Sequence, residues 1–184
     1  ATRCIPVIHL LLQKKQEVLI AGSGRSLLLL KQEFPDQEFI DLPGYDIRYS
    51  KTVMAIQLFF SIPKILKGIK REHELVEDII QQKKIDVVIS DNRFGLWSNH
   101  ATTVFITHQL LIKSPLGEYI LHRINLHYIK KYTHCWIPDL EGRNNLSGDL
   151  THAYSLPDNA FFIGLLSRFY LEPPPPSFQL PLKK

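Results

Sequence analysis

Two short polar stretches sit where an α/β protein does its chemistry. In KIDVVISDNRFGLWS, Lys84 to Ser98, the apolar run Val87, Val88, Ile89 passes directly into Ser90, Asp91, Asn92 and Arg93. In TVFITHQ, Thr103 to Gln109, a second apolar run passes into His108 and Gln109. Continuous apolar runs of this kind predict parallel strands covered on both faces. Open parallel sheets bind ligands beyond the carboxyl ends of their strands. If the two strands are neighbours, Asp91, Asn92, Arg93, His108 and Gln109 share one rim. Together they offer the donors and acceptors that a hydroxyl-rich substrate needs. The plainer reading of the same residues is loop polars that cap helix ends.

Other motifs carry less. GSGRS, Gly22 to Ser26, follows a strand and opens a helix, and Asp41 ends the next strand nineteen residues after Gly22. This is half of a dinucleotide fingerprint: Leu27 stands where the third glycine would let helix and strand pack closely. A turn eased by glycine is the alternative. His122 and His127 are five apart on a helical pattern, hence on different faces, and neither cysteine has metal-ligand spacing, so no metal site is expected. GxSxG, HExxH, P-loop and paired-carboxylate patterns are absent from the sequence. NLSGDLTH, Asn145 to His152, reads equally as a functional loop or as turn chemistry. Met54, Leu58 and Phe59, flanked by Lys51 and Lys64, exceed one core stripe; they suit an anionic membrane surface or burial against a partner domain.

The elements that must position these residues alternate. The pattern runs helix around Ile5, Ile8 and Leu12, strand Glu17 to Gly22, helix Ser26 to Glu33, strand Glu38 to Gly44, then a long helix from Val53 to Gln81 that Pro63 kinks or restarts. The strands DVVIS and TVFIT follow, then a helix from Leu116 to Tyr132 and the strands HCWIP and AFFIG. Such alternation predicts a Rossmann-like parallel sheet flanked by helices. The pattern opens on a helix, whereas the opening strand of a doubly wound fold lies at the centre of the sheet. The expected fold is therefore one lacking its first strand. Residues 1–164 read as one domain and 165–184, rich in proline, as an extended linker or tail.

At 184 residues with 45% hydrophobic and 22% charged residues, the chain can bury a proper core. Its net charge of +4 is spread, with no block of five basic residues and no aromatic interleaving, so nucleic acid is not an expected partner. Two cysteines, Cys4 and Cys135, fit two buried thiols in a reducing, cytoplasmic setting rather than a disulfide scaffold. No stretch reaches the roughly 18 to 20 apolar residues that span a bilayer. A chain that opens on ATRC without methionine is read as one whose true start lies upstream.

Taken in order, ATRCIPVI, VLIAGSGR, LPGYDIRYSK, ISDNRFGLWS, VFITHQ, NLSGDLTH and IGLLSRF resemble the amino-terminal half of a two-domain, GT-B type glycosyltransferase, near family 28. That family includes the transferase that makes the peptidoglycan lipid intermediate. The resemblance covers Ala1 to Phe169, and the order of the motifs is more specific than any one of them. It implies inverting transfer from a nucleotide sugar, in that family usually a UDP-sugar, without cofactor or bound metal. The acceptor, a sugar or lipid-linked sugar, lies on this half, and a carboxyl-terminal domain holds the donor. By matching position, Thr2, Arg3, Asp91, Asn92, Arg93, His108 and Gln109 are the acceptor-binding residues. The family's base histidine belongs to a glycine-rich turn ahead of Ala1, so the residues present here bind and position, and this half alone is expected to be inactive. The resemblance also implies the inner membrane face and the cell envelope. Two alternatives remain beside it: a dinucleotide-binding module using Gly22, Gly24 and Asp41, or a domain like that of nucleotide-sugar epimerases.

Overall fold

The computed structural model describes residues 2–44, 54–111, 118–142, 144–152 and 155–167, with backbone alone for 54–61. The DIRYSK motif, the side chains of Met54, Leu58 and Phe59, and all but the first residues of the proline-rich tail lie outside it. In chain order the described elements are α1 (Cys4–Gln13), β1 (Leu19–Gly22), α2 (Gly24–Glu33), β2 (Glu38–Asp41) and α3 (Met54–Lys83). After these come β3 (Val87–Asp91), β4 (Thr102–Ile106), α4 (Glu118–Ile129), β5 (His134–Ile137), α5 (Asp149–His152) and β6 (Ala160–Phe162).

The expected alternation of helices and parallel strands is observed. β1 pairs with β2, and β3, β4, β5 and β6 pair in that order, every ladder parallel. Helix α3 runs unbroken through Pro63 rather than restarting there. Its residues Ile69, Glu72, Val76 and Ile80 are buried, a stripe at helical spacing. Val76 and Ile80 pack with Phe105, Cys135, Ile137 and Tyr132 in the main core, which also takes Leu42 from the end of β2. A second core joins Ile5 and Ile8 of α1 to Ile20 of β1 and to Leu30 and Phe34 at the end of α2.

One expectation changes. β3, the strand that reads as covered on both faces, is an edge strand among the described residues, and Val87 is 52% exposed. β4 takes the central place, with Thr103 to Ile106 all buried. The reason is pairing. Asp86 O accepts from Thr102 N, and Asn92 N donates to Ile106 O, so the even-numbered residues of β3 face β4. The backbone groups of Val87, Ile89 and Asp91 point the other way, where no described strand pairs with β3.

Side chains, not a ladder, tie the β1–β2 ribbon to β3. Lys83, just before β3, meets Glu38, the first residue of β2, at 2.7 Å. Arg93, just after β3, donates to the carbonyls of Leu42 and Pro43, just after β2, at 3.3 and 2.6 Å. Start meets start and end meets end, so ribbon and sheet run in the same direction.

Candidate functional site

The carboxyl ends of β3 and β4 do lie side by side, as Asp91 pairs in register with Ile106. Beyond Asp91 the chain turns sharply, with Asn92 in the left-handed region at φ 59°, which an Asn tolerates better than most residues. Ser90 Oγ closes this turn by donating to Arg93 O at 2.7 Å. On the β4 side the buried Thr107 Oγ1 lies 3.2 Å from Asn92 Oδ1 and accepts from Gln109 N at 3.1 Å. The hydroxyl thus fixes both turns to each other. From behind, the buried Asn125 of α4 donates to the carbonyls of Gln109 and Leu110 at 3.2 and 2.7 Å.

Arg3, at the start of α1, joins the two turns from the far side. Its Nη2 lies 2.8 Å from Asp91 Oδ1, a charge contact off the axis of an ideal hydrogen bond, and Nη1 meets His108 Nδ1. Residues separated by more than a hundred positions thereby form one cluster, with Asp91 largely buried and His108 and Asn92 exposed on the rim. Burial and the Arg3 guanidinium hold the His108 imidazole below its ordinary value, with Asp91 pulling the other way. Arg3 can only donate, so His108 Nδ1 accepts from it and the neutral ring keeps its proton on Nε2, which leaves the rim a hydrogen-bond donor. Burial, then the Asp91 carboxylate, push the Cys4 thiol up to about 11; burial pushes Cys135 up to about 12. Both are free thiols and neither is poised as a nucleophile.

The residues singled out from sequence divide. Arg3, Asp91, Asn92 and His108 come together, Gln109 joins through its backbone, and Thr2 is exposed beside Arg3. Arg93 turns away from them. Its Nε donates to Glu72 of α3, and its other nitrogens hold the loop after β2. Glu72 also accepts from Gly95 N at 2.9 Å, and Tyr132 Oη donates to Arg93 O at 2.5 Å. Arg93 is thus a strut that holds the β3 turn against α3 and β2.

Sequence reading passed over two carboxylates. Glu72 occupies a stripe position between Ile69 and Val76, and an acidic residue in an apolar stripe is the signal that marks it. Asp139 follows β5 just as Asp91 ends β3, so the strand-end argument reaches it too. It is buried, and accepts from Leu140 N, Leu146 N and Ser147 N at 2.8, 2.8 and 2.9 Å and from Ser147 Oγ. Burial alone would raise its pKa, but these donors outweigh it and hold the carboxyl well below the usual range. NLSGDLTH is therefore a turn wrapped on Asp139 and opening the short helix α5. His152, stacked on Phe162 with ring centroids 4.8 Å apart, closes the wrap 3.7 Å from Asp139.

The dinucleotide motif forms a β1–α2–β2 unit in which Gly22 and Asp41 are register partners. Leu27 is buried in the place of the third glycine, and a Cβ at Gly22 would meet it at an ordinary 3.7 Å. Among the described residues there is no group of three potential metal ligands, and no helix long and apolar enough to cross a membrane. Compared with family models, curated proteins and solved structures, the chain matches none.

Proposed function

We propose that the chain is the acceptor-binding half of an inverting glycosyltransferase of GT-B type. Its partner half holds a nucleotide sugar, a UDP-sugar, and the reaction runs without a bound metal at the cytoplasmic face of the inner membrane. The observation that carries this reading is the convergence of Arg3, Asp91 and His108, with Asn92 beside them, on one rim of a parallel sheet. A sugar acceptor offers several hydroxyls in fixed directions. Asp91 accepts from them, Arg3 and the Nε2–H of neutral His108 donate, and the Asn92 amide does either. The cluster also has a partly buried charge pair, which fixes the orientation of groups that would otherwise be solvated.

In the reaction, a base takes the proton of the acceptor hydroxyl as its oxygen attacks the anomeric carbon from the face opposite the diphosphate. The C–O bond to the diphosphate breaks with its electron pair on the leaving group, which the donor-side half stabilises. Arg3, Asp91 and His108 position the hydroxyl; the base belongs to a turn ahead of Ala1. The edge of β3 that no described strand pairs supports the same reading, because a central strand ahead of α1 would pair there and end beside Arg3.

The test is a titration of the isotope-labelled chain with a panel of soluble amino-sugar acceptors, followed by amide NMR. Saturable shifts at Asn92, His108 and Gln109, lost in Asp91→Ala, are expected. Shifts confined to other regions, or sugar transfer by the chain alone, would overturn the assignment of an acceptor-only half. One observation favours a second reading: Gly22 and Asp41 stand opposite each other, as a dinucleotide site requires. Saturable NADH fluorescence abolished by Asp41→Ala would select it.

A further inference from the structure

Beside the strut formed by Arg93 and Glu72 lies a cavity of about 470 Å³ that neither Arg3 nor His108 lines. One wall is helix α3, which presents Lys64, Lys67, Gly68 and Arg71 at the spacing of a single face. The opposite side is the chain leaving β2, Leu42 to Gly44, and Leu75 adds an apolar floor.

The charges do not cancel. Of the two acidic residues lining the cavity, Glu72 is committed to Arg93 and Gly95 N, and Glu74 lies 3.8 Å from Lys70, which does not line the cavity. Lys67 and Arg71 are exposed, and no described side chain pairs with either. They stand one helical turn apart, about 6 Å along the axis. Between them is Gly68, which also lines the cavity.

Two uncompensated cations a turn apart, one of them a guanidinium fork, suit a phosphate or diphosphate group. We propose that this cavity is a binding site for a phosphate-bearing ligand. The anionic group sits between Lys67 and Arg71, and the neighbouring neutral part of the ligand rests on Leu42 and Leu75. The proposal goes beyond the transferase reading and stands without it, since it invokes no sugar, donor or transfer.

Inorganic pyrophosphate is the probe, titrated by calorimetry into the intact chain. Saturable binding is expected, weakened at least tenfold by the pair Lys67→Ala and Arg71→Ala. It should also weaken when salt rises from roughly 50 to 200 mM, as screening shortens. Both side chains are exposed, so the double variant should keep the parent's circular dichroism and melting temperature. Lys14→Ala with Lys15→Ala, an equal loss of charge elsewhere, should bind as the parent does. Flotation with phosphatidylcholine vesicles containing phosphatidic acid separates the sources. Vesicle binding displaced by pyrophosphate assigns a lipid headgroup; pyrophosphate binding without vesicle binding assigns a soluble phosphoester. No saturable heat, or equal affinity in both double variants, would overturn the site.

Discussion

Replacing Glu72 by alanine is expected to cost about 3–5 kcal/mol of stability, the range for stranding one member of a buried ion pair. The Glu72 side chain is 3% exposed and that of Arg93 is 19% exposed, so water cannot readily replace the lost carboxylate. Two donors lose their acceptor, Arg93 Nε and Gly95 N. A hydrogen bond to a charged group contributes about 1.5–3 kcal/mol, and a buried donor left alone costs about 1–3. These figures overlap in the same range. For a chain of this size the melting temperature should fall by about 10 °C. Urea unfolding followed by tryptophan fluorescence reads the change. Replacing both partners, Glu72→Met with Arg93→Met, should recover much of the loss, because no charge is then stranded. A single-variant loss under about 1 kcal/mol would refute the reasoning, as would a double variant no more stable than the single one.

Two further outcomes follow from the packing. Gly95→Ala would place a Cβ 2.6 Å from Ile69 O and 2.7 Å from Glu72 Cβ, so a loss of about 2–4 kcal/mol is expected in the same urea assay; an unchanged midpoint would show that α3 can yield. Asp139 is held below its unfolded value, so its contribution is fully present above about pH 4 and is lost as pH falls toward the lower folded value. Asp139→Asn should therefore unfold more easily at pH 7 but lose less on going to pH 3; parallel pH profiles for variant and parent would contradict this.

Much of the architecture was legible because periodicity marks it. The apolar runs at Val87 and Val104 and the stripe of Ile69, Val76 and Ile80 required particular elements, and these formed within a few residues of the expected ends. The rim shared by Asp91 and His108 was legible too, since a strand-end rule needs only that two strands be neighbours. What sequence could not show is direction and partnership. Arg93 sits in the same polar run as Asp91 and Asn92, yet it points inward, because Glu72 on α3 offers a carboxylate that lies twenty-one positions away in sequence. The edge position of β3 was hidden for a related reason: its residues are as apolar as those of a central strand, and pairing is decided by what lies beside it.

That edge has a consequence for handling the protein. A five-residue strand that no described strand pairs on its outer side is a template on which neighbouring molecules can grow a ladder in concentrated solution. At the far end Asp91 and Arg93 are already engaged by Arg3 and Glu72, so the charge that limits growth is that of the exposed Lys84 and Asp86 just before the strand. These residues act as gatekeepers, since an incoming strand must bring their like charges together or strip them of water. Solubility should accordingly fall with added salt well before stability does, and the residues that set the shelf life of a concentrated sample lie just ahead of β3 rather than in its core.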